Sequence, residues 1–213
     1  MNRAELERNF GRRLARLATN AVLARPALWR VFRPLLQAQF DRLAPGWDEL
    51  RRPGAFAALE QALAAVSGEP KRVLDLGTGT GAAAFEAARR FPSADVVGVD
   101  LAEQMLAQAR SKTPPELAGR VTFQAADAER LPFEEGSFDL VVLANMIPFF
   151  DELARVVARG GHVVFSFSGG SETPIWVPPE RLRSELSARG FAEFADFEAA
   201  GATALLARKD DRA

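Results

Sequence analysis

Five short runs rich in Val, Leu and Phe, spaced by helix-forming stretches, constrain this chain more than any other feature. They are RVLDLG (72–77), DVVGVDL (95–101), VTFQAAD (121–127), FDLVVLAN (138–145) and GHVVFSFS (161–168). AAAFEAARRF, AEQMLAQARSK and DELARVVARG lie between them and carry helical patterns. Near-continuous apolar strands are buried on both faces, which calls for a parallel sheet with crossover helices. A further helix, PPERLRSELSARG, precedes FAEFADFEAA and ATALLARK, which are close enough together to form an antiparallel hairpin at the sheet edge. The pattern predicts a doubly wound, Rossmann-like α/β core over 69–213.

Residues 1–68 read differently, as a helical cap broken at Pro26, Pro34, Pro45 and Pro53. Leu6, Phe10, Leu14 and Leu17 recur at helical spacing, and a second helical stretch carries Leu28, Val31, Phe32, Leu35, Leu36 and Phe40. A third, PGAFAALEQALAAVSG, has Pro53 near its start and Gly68 past its end. Charge divides along the same line. Residues 1–52 hold 11 of the 27 Lys+Arg and 5 of the 28 Asp+Glu, a net +6, and the rest of the chain is −7.

With a net charge of −1 the molecule is not expected to bind nucleic acid by bulk electrostatics. The absence of cysteine removes disulfides, thiol nucleophiles and cysteine–zinc sites, and one histidine with no tyrosine leaves little for a metal centre or a phenolic base. No apolar run approaches the ~20 residues of a membrane span. The opening MNRAELERNFGRRL lacks the apolar core of a secretory signal, so a cytoplasmic location is the expectation.

The sharpest motif is VLDLGTGTG, which sets Gly77, Thr78, Gly79 and Gly81 between a strand and a helix. Residues without side chains let the backbone turn tightly and approach a ligand, and the next helix offers unpaired N–H groups. Glycines alone do not choose a cofactor, since GTGAAA also satisfies a dinucleotide fingerprint. Three acids do. Asp75, inside the strand end, wants a cationic or hydrogen-bonding partner and would repel a pyrophosphate. Asp100 ends the second strand, where its carboxylate can accept both hydroxyls of a ribose. Asp127 ends the third, where it could accept from an adenine amino group. Ammonium, ribose and adenine in that order describe S-adenosylmethionine better than NAD.

At this point the chain resembles the class I S-adenosylmethionine-dependent methyltransferases, in their small-molecule branch. VLDLGTGTG is similar to that family's first motif, GVDLAEQML to its second, and QAADAERLPFEEGSFDLVVLAN to its third and fourth. FDRLAPGWDEL, with Phe40 and Trp47, is similar to the lid segment of ubiquinone- and menaquinone-type C-methyltransferases. The resemblance implies a seven-stranded sheet whose last strand runs antiparallel. It implies that Asp75 and the Gly77–Gly81 backbone hold the methionine portion and Asp100 the ribose. Leu101 and Met105 would flank the adenine, Asp127 and the Ala128 amide would read its edge, and Asn145 would face the reactive end.

The chemistry expected is transfer of the sulfonium methyl to a small, largely apolar acceptor by in-line displacement, with alignment and exclusion of water as the protein's work. No metal is expected. His162 follows a double glycine at the start of a strand and reads as structural; Asp41, Asp48 and Asp151 are weak bases at neutral pH. The pocket wall is expected to be aromatic, from Phe40, Trp47, Phe149, Phe150 and Trp176, which suits an acceptor that is already nucleophilic. Two rivals stand beside this reading: binding of S-adenosylmethionine without transfer, and an NAD(P)-dependent oxidoreductase. The basic arm with Leu28, Trp29, Phe32 and Leu36 could lie on a membrane surface; the reading preferred here packs that stripe on the sheet and leaves the arginines in solvent.

Overall fold

A computed structural model describes residues 3–211, with side chains from Gly11 onward, so Leu6 and Phe10 lie outside the described side chains. Seven strands form one sheet: β1 (Arg72–Leu76), β2 (Asp95–Asp100), β3 (Val121–Ala125), β4 (Phe138–Ala144), β5 (Val157–Phe167), β6 (Phe191–Ala199) and β7 (Ala202–Lys209). Their order is β3-β2-β1-β4-β5-β7-β6. The first five pair in parallel, and β7 inserts antiparallel between β5 and β6. The chain reverses direction across the sheet between β1 and β4, where a crevice opens beyond the strand ends.

The helices are α1 (Arg3–Ala24), α2 (Trp29–Leu43), α3 (Ala57–Ala65), α4 (Ala82–Arg90), α5 (Glu103–Ser111), α6 (Phe150–Val156) and α7 (Pro179–Ser187). Alternate strand residues face opposite layers, as a period of two requires. Val73, Leu140, Val142, Val164 and Leu206 join one buried cluster with Leu59 and Leu63 of α3 and Phe85 of α4. Leu74, Leu76, Val141, Leu143 and Phe165 join the other with Trp29 and Leu36 of the arm, Leu153 of α6 and Leu186 of α7. The arm therefore completes a core layer of the sheet. Arg181 fastens it further by donating to the Leu23 carbonyl at 2.6 Å.

Several boundaries differ from the sequence reading. Pro34 does not break the arm; it sits inside α2, where its ring removes the amide that would have bonded to the Arg30 carbonyl while the helix runs on to Leu43. The stretch ARVVARG leaves the helix at Val156 and enters β5, because Val157 pairs with Phe138 ahead of a register shift between Phe138 and Leu140. Lys209 holds this junction, its buried ammonium donating to the carbonyls of Ala154 and Val157 at 2.6 and 2.9 Å.

Candidate functional site

The crevice is a cavity of about 720 Å³ with its floor on the strand ends and its roof on the arm. The floor comes from Leu76, Gly77 and Gly79 after β1, Asp100 and Leu101 after β2, Ala128 beyond β3, and Asn145, Met146 and Ile147 after β4. The roof comes from Leu36, Gln37 and Phe40 of α2 and from the following 3-10 helix (Ala44–Leu50), which brings Trp47. Phe40 and Trp47 meet edge to face at 5.5 Å, and Met105 of α5 packs under them.

Local backbone chemistry explains the floor. Gly77, Gly79 and Gly81 all take positive φ, of 76°, 53° and 86°. A Cβ on Gly77 would lie 2.6 Å from the Met146 sulfur, whereas one on Gly79 would meet only Trp47 Nε1, at 3.8 Å. The peptide at Gly79 thus presents bare backbone to the cavity. Asn145 also has positive φ, 54°, a conformation Asn tolerates better than most residues. Its Oδ1 accepts from the Ser168 amide at 2.9 Å and hydroxyl at 3.2 Å, tying the ends of β4 and β5 together.

The acids are held by different means. Asp100 accepts from the Gly79 amide at 2.8 Å on one oxygen and from the Ala102 amide at 2.9 Å on the other. Burial pushes its carboxyl above the usual range, against the pull of those amides. Each oxygen keeps a second lone pair for a hydroxyl donor.

Asp75 is fully buried behind the loop and off the cavity wall. One oxygen accepts from the Thr78 hydroxyl at 2.6 Å; the other, Oδ1, is the one buried side-chain polar atom among the described residues with no partner. Burial raises its pKa to about 7, against the Thr78 hydrogen bond. Asp127 is committed to the arm. Its oxygens accept from Trp29 Nε1 and Arg33 Nη1, both at 2.8 Å, and from the Glu129 amide at 3.0 Å.

Of the residues singled out from sequence, Gly77, Gly79, Asp100, Leu101, Met105, Ala128, Asn145, Phe40 and Trp47 converge on the cavity. Asp75, Thr78, Gly81 and Asp127 stand one layer behind it. Three aromatics lie elsewhere. Phe149 is buried against Trp29 at 5.2 Å, Phe150 against Phe165 at 6.3 Å, and Trp176 packs half-buried on the same core while its neighbours Pro174 and Ile175 reach the cavity. Chain direction decides this: α6 starts at Phe150 and turns its apolar side onto the sheet.

His162 lies within β5, buried and 3.1 Å from the Ser67 hydroxyl, away from the cavity; burial and Arg208 lower its pKa. Asp151 pairs with Arg189, Asp41 accepts from the Gln104 amide, and Asp48 is held by Lys112, Thr80 and Arg51. Sequence reasoning missed Met146 and Ile147, which carry no motif, and Arg12, Arg42, Arg51 and Arg52, which bring a cluster of guanidinium groups to the cavity. Only the basic bias of residues 1–52 hinted at them.

Against known proteins, residues 73–161 match a family model described as a methyltransferase domain. The chain is 43% identical over 138 residues to the demethylmenaquinone methyltransferase of Thermus thermophilus, covering 59% of this chain and 62% of that one. It is 36% identical over 148 residues to the ubiquinone/menaquinone biosynthesis C-methyltransferase UbiE of Geobacter sulfurreducens, covering 62% and 58%. The chain thus spans about three fifths of the length of these relatives. Among solved structures, the fold is similar to that of a complex of the Haloferax volcanii Trm112 methyltransferase activator with a methyltransferase partner (TM-score 0.65, 20% identity, 80% of this chain and 97% of that one).

Proposed function

We propose that the chain is a class I S-adenosylmethionine-dependent methyltransferase, like the relatives it matches, and that it methylates a small, apolar, electron-rich ring of the quinol type, at carbon. The observation that carries the proposal is the pairing of a ribose-competent carboxylate, Asp100, with an aromatic roof of Phe40 and Trp47 over one cavity.

The donor set suits S-adenosylmethionine. Asp100 would take the ribose hydroxyls and the bare Gly77–Gly79 backbone would take the methionine portion, with Asp75 one layer behind that backbone, where a cation brought close would favour its ionised form. Leu101, Met105 and the Ala128 amide would bound the adenine. Asp127 already holds Trp29 and Arg33 one layer behind the cavity wall, so its proposed part is to keep the arm closed beside the adenine. When bound, the cofactor supplies an electrophilic methyl on a sulfonium.

The protein's own contribution is positional. Phe40 and Trp47 can face a cation with their π-clouds, at ~0.5–2 kcal/mol per well-placed ring. Leu36, Met146, Ile147 and Ile175 exclude water and hold an apolar ring against the floor. The carboxylates on the wall are Asp100 and Glu172, and the former is engaged by amides. Arg12, Arg42 and Arg52, with Arg51 paired to Asp48, favour an acceptor that arrives as, or becomes, an anion. Such a phenolate-activated ring carbon would need no protein base to attack; as its bond to the methyl forms the methyl–sulfur bond would break, and the proton left on that carbon would pass to water as the ring regains aromaticity. Thermal melting with S-adenosylmethionine, its demethylated product and NAD tests the cofactor: stabilisation by the first two and none by NAD is expected. Stabilisation by NAD alone would overturn the proposal.

A further inference from the structure

The arm helices carry apolar residues on two sides. Trp29 and Leu36 point inward and are 3% and 4% exposed. Leu17 and Val31, by contrast, are 60% exposed, Leu35 53% and Leu28 37%. Leu28, Val31 and Leu35 are three and four positions apart, so they share one outer face of α2 and the residue before it. Single exposed apolar side chains are ordinary; a run on one face of an element is not.

The same segment is charged with one sign. From Asn9 to Phe40 the chain has six arginines and no aspartate or glutamate, in a protein whose remainder is acidic. Arg12 and Arg16 donate to backbone carbonyls near Glu172 and Thr173, and Arg33 pairs with Asp127. Arg13, Arg25 and Arg30 are exposed and, among the described residues, face no carboxylate within ion-pair distance. Leu50, 48% exposed, belongs to the cavity lining, so the cavity reaches the surface on the arm side.

An acid-free segment whose exposed side chains include both aliphatic residues and guanidinium groups matches one partner in both respects at once. A bilayer interface offers phosphates to the arginines and acyl chains to the leucines. No described helix is long and apolar enough to cross a membrane, so the contact would be peripheral. We propose that the exposed side of the arm, with Leu28, Val31 and Leu35 as its apolar row and Leu17, Arg13, Arg25 and Arg30 exposed around it, docks the protein on anionic phospholipid surfaces. The inner sides of the same helices roof the cavity, so docking would set that roof against the lipid.

Sedimentation of the full chain with phosphatidylcholine vesicles, with and without phosphatidylglycerol, tests it. Binding to the anionic vesicles should be strong, fall with added salt, and be at least about tenfold weaker on neutral ones. Val31→Glu/Leu35→Glu should weaken it at least about tenfold, and so should Arg25→Glu/Arg30→Glu, with the parent's melting transition retained in each. None of these residues lines the cavity. Absence of binding to both vesicles, equal binding to both, or unchanged binding by both variants would overturn the proposal. So would a dimer without lipid binding that Val31→Glu/Leu35→Glu dissolves, because the face would then belong to a second copy of the chain.

Discussion

Asp75→Asn removes a buried ionisable group while keeping its shape and its acceptor for Thr78. The carboxyl is fully buried and its pKa is pushed up to about 7, from 3.8 in the unfolded chain. Below pH 3.8 both states hold the proton. As pH rises from there to about 7, the unfolded chain releases it and the folded protein keeps it, so this group's stabilising contribution is lost progressively up to the folded pKa. Between pH 5 and 7 the loss is roughly 2–3 kcal/mol, at ~1.4 kcal/mol per pH unit. An asparagine has no such slope. Urea denaturation of both proteins across that range isolates the effect, because carboxylates that Asp75 does not feel cancel in the difference and the one it does feel, Asp100, is a minor cause of its shift. The variant should gain on the parent by about 2–3 kcal/mol from pH 5 to 7. A difference that stays constant with pH would show that Asp75 is ionised in the fold throughout, and the buried neutral acid would be refuted.

Asp100→Ala should weaken S-adenosylmethionine binding at least about tenfold by calorimetry, since two charge-assisted hydrogen bonds are worth roughly 1.5–3 kcal/mol each. Unchanged affinity would place the ribose elsewhere. Asp127→Ala cuts the Trp29 and Arg33 bonds, so limited proteolysis should cleave the arm faster while the core fragment resists; parent-like cleavage would show that packing alone holds the arm. Trp47→Ala should raise the KM of the acceptor, whereas Trp176→Ala, which is off the cavity, should lower the melting temperature and leave KM unchanged. Turnover of a folded His162→Ala should match the parent, and a hundredfold loss in kcat would restore a histidine base.

The core was legible because β1, β2, β4 and β5 carry Val and Leu at consecutive positions, which only a doubly covered sheet can bury. The final hairpin was legible from spacing alone. The β5 start was not, since VVARG satisfies helix and strand patterns equally and only pairing with Phe138 decides it. At the site, Gly77, Gly79 and Asp100 announced the floor through their positions at strand ends. The aromatics after β4 misled, because Phe149 and Phe150 are adjacent to Met146 and Ile147 in sequence yet α6 turns them into the core. Asp127 was legible as a strand-end acid, but its bonds to Trp29 and Arg33 span more than ninety residues, and no local pattern encodes them.

The most direct test incubates the protein with methyl-labelled S-adenosylmethionine and a chemically reduced naphthoquinone lacking a ring methyl, then identifies the product by mass and by the position of the label. A label on a ring carbon, absent when Trp47 is replaced by alanine at low acceptor concentration, is the result expected. Tight cofactor binding with no label on any quinol offered would contradict it, and would leave a protein that binds S-adenosylmethionine without transferring its methyl.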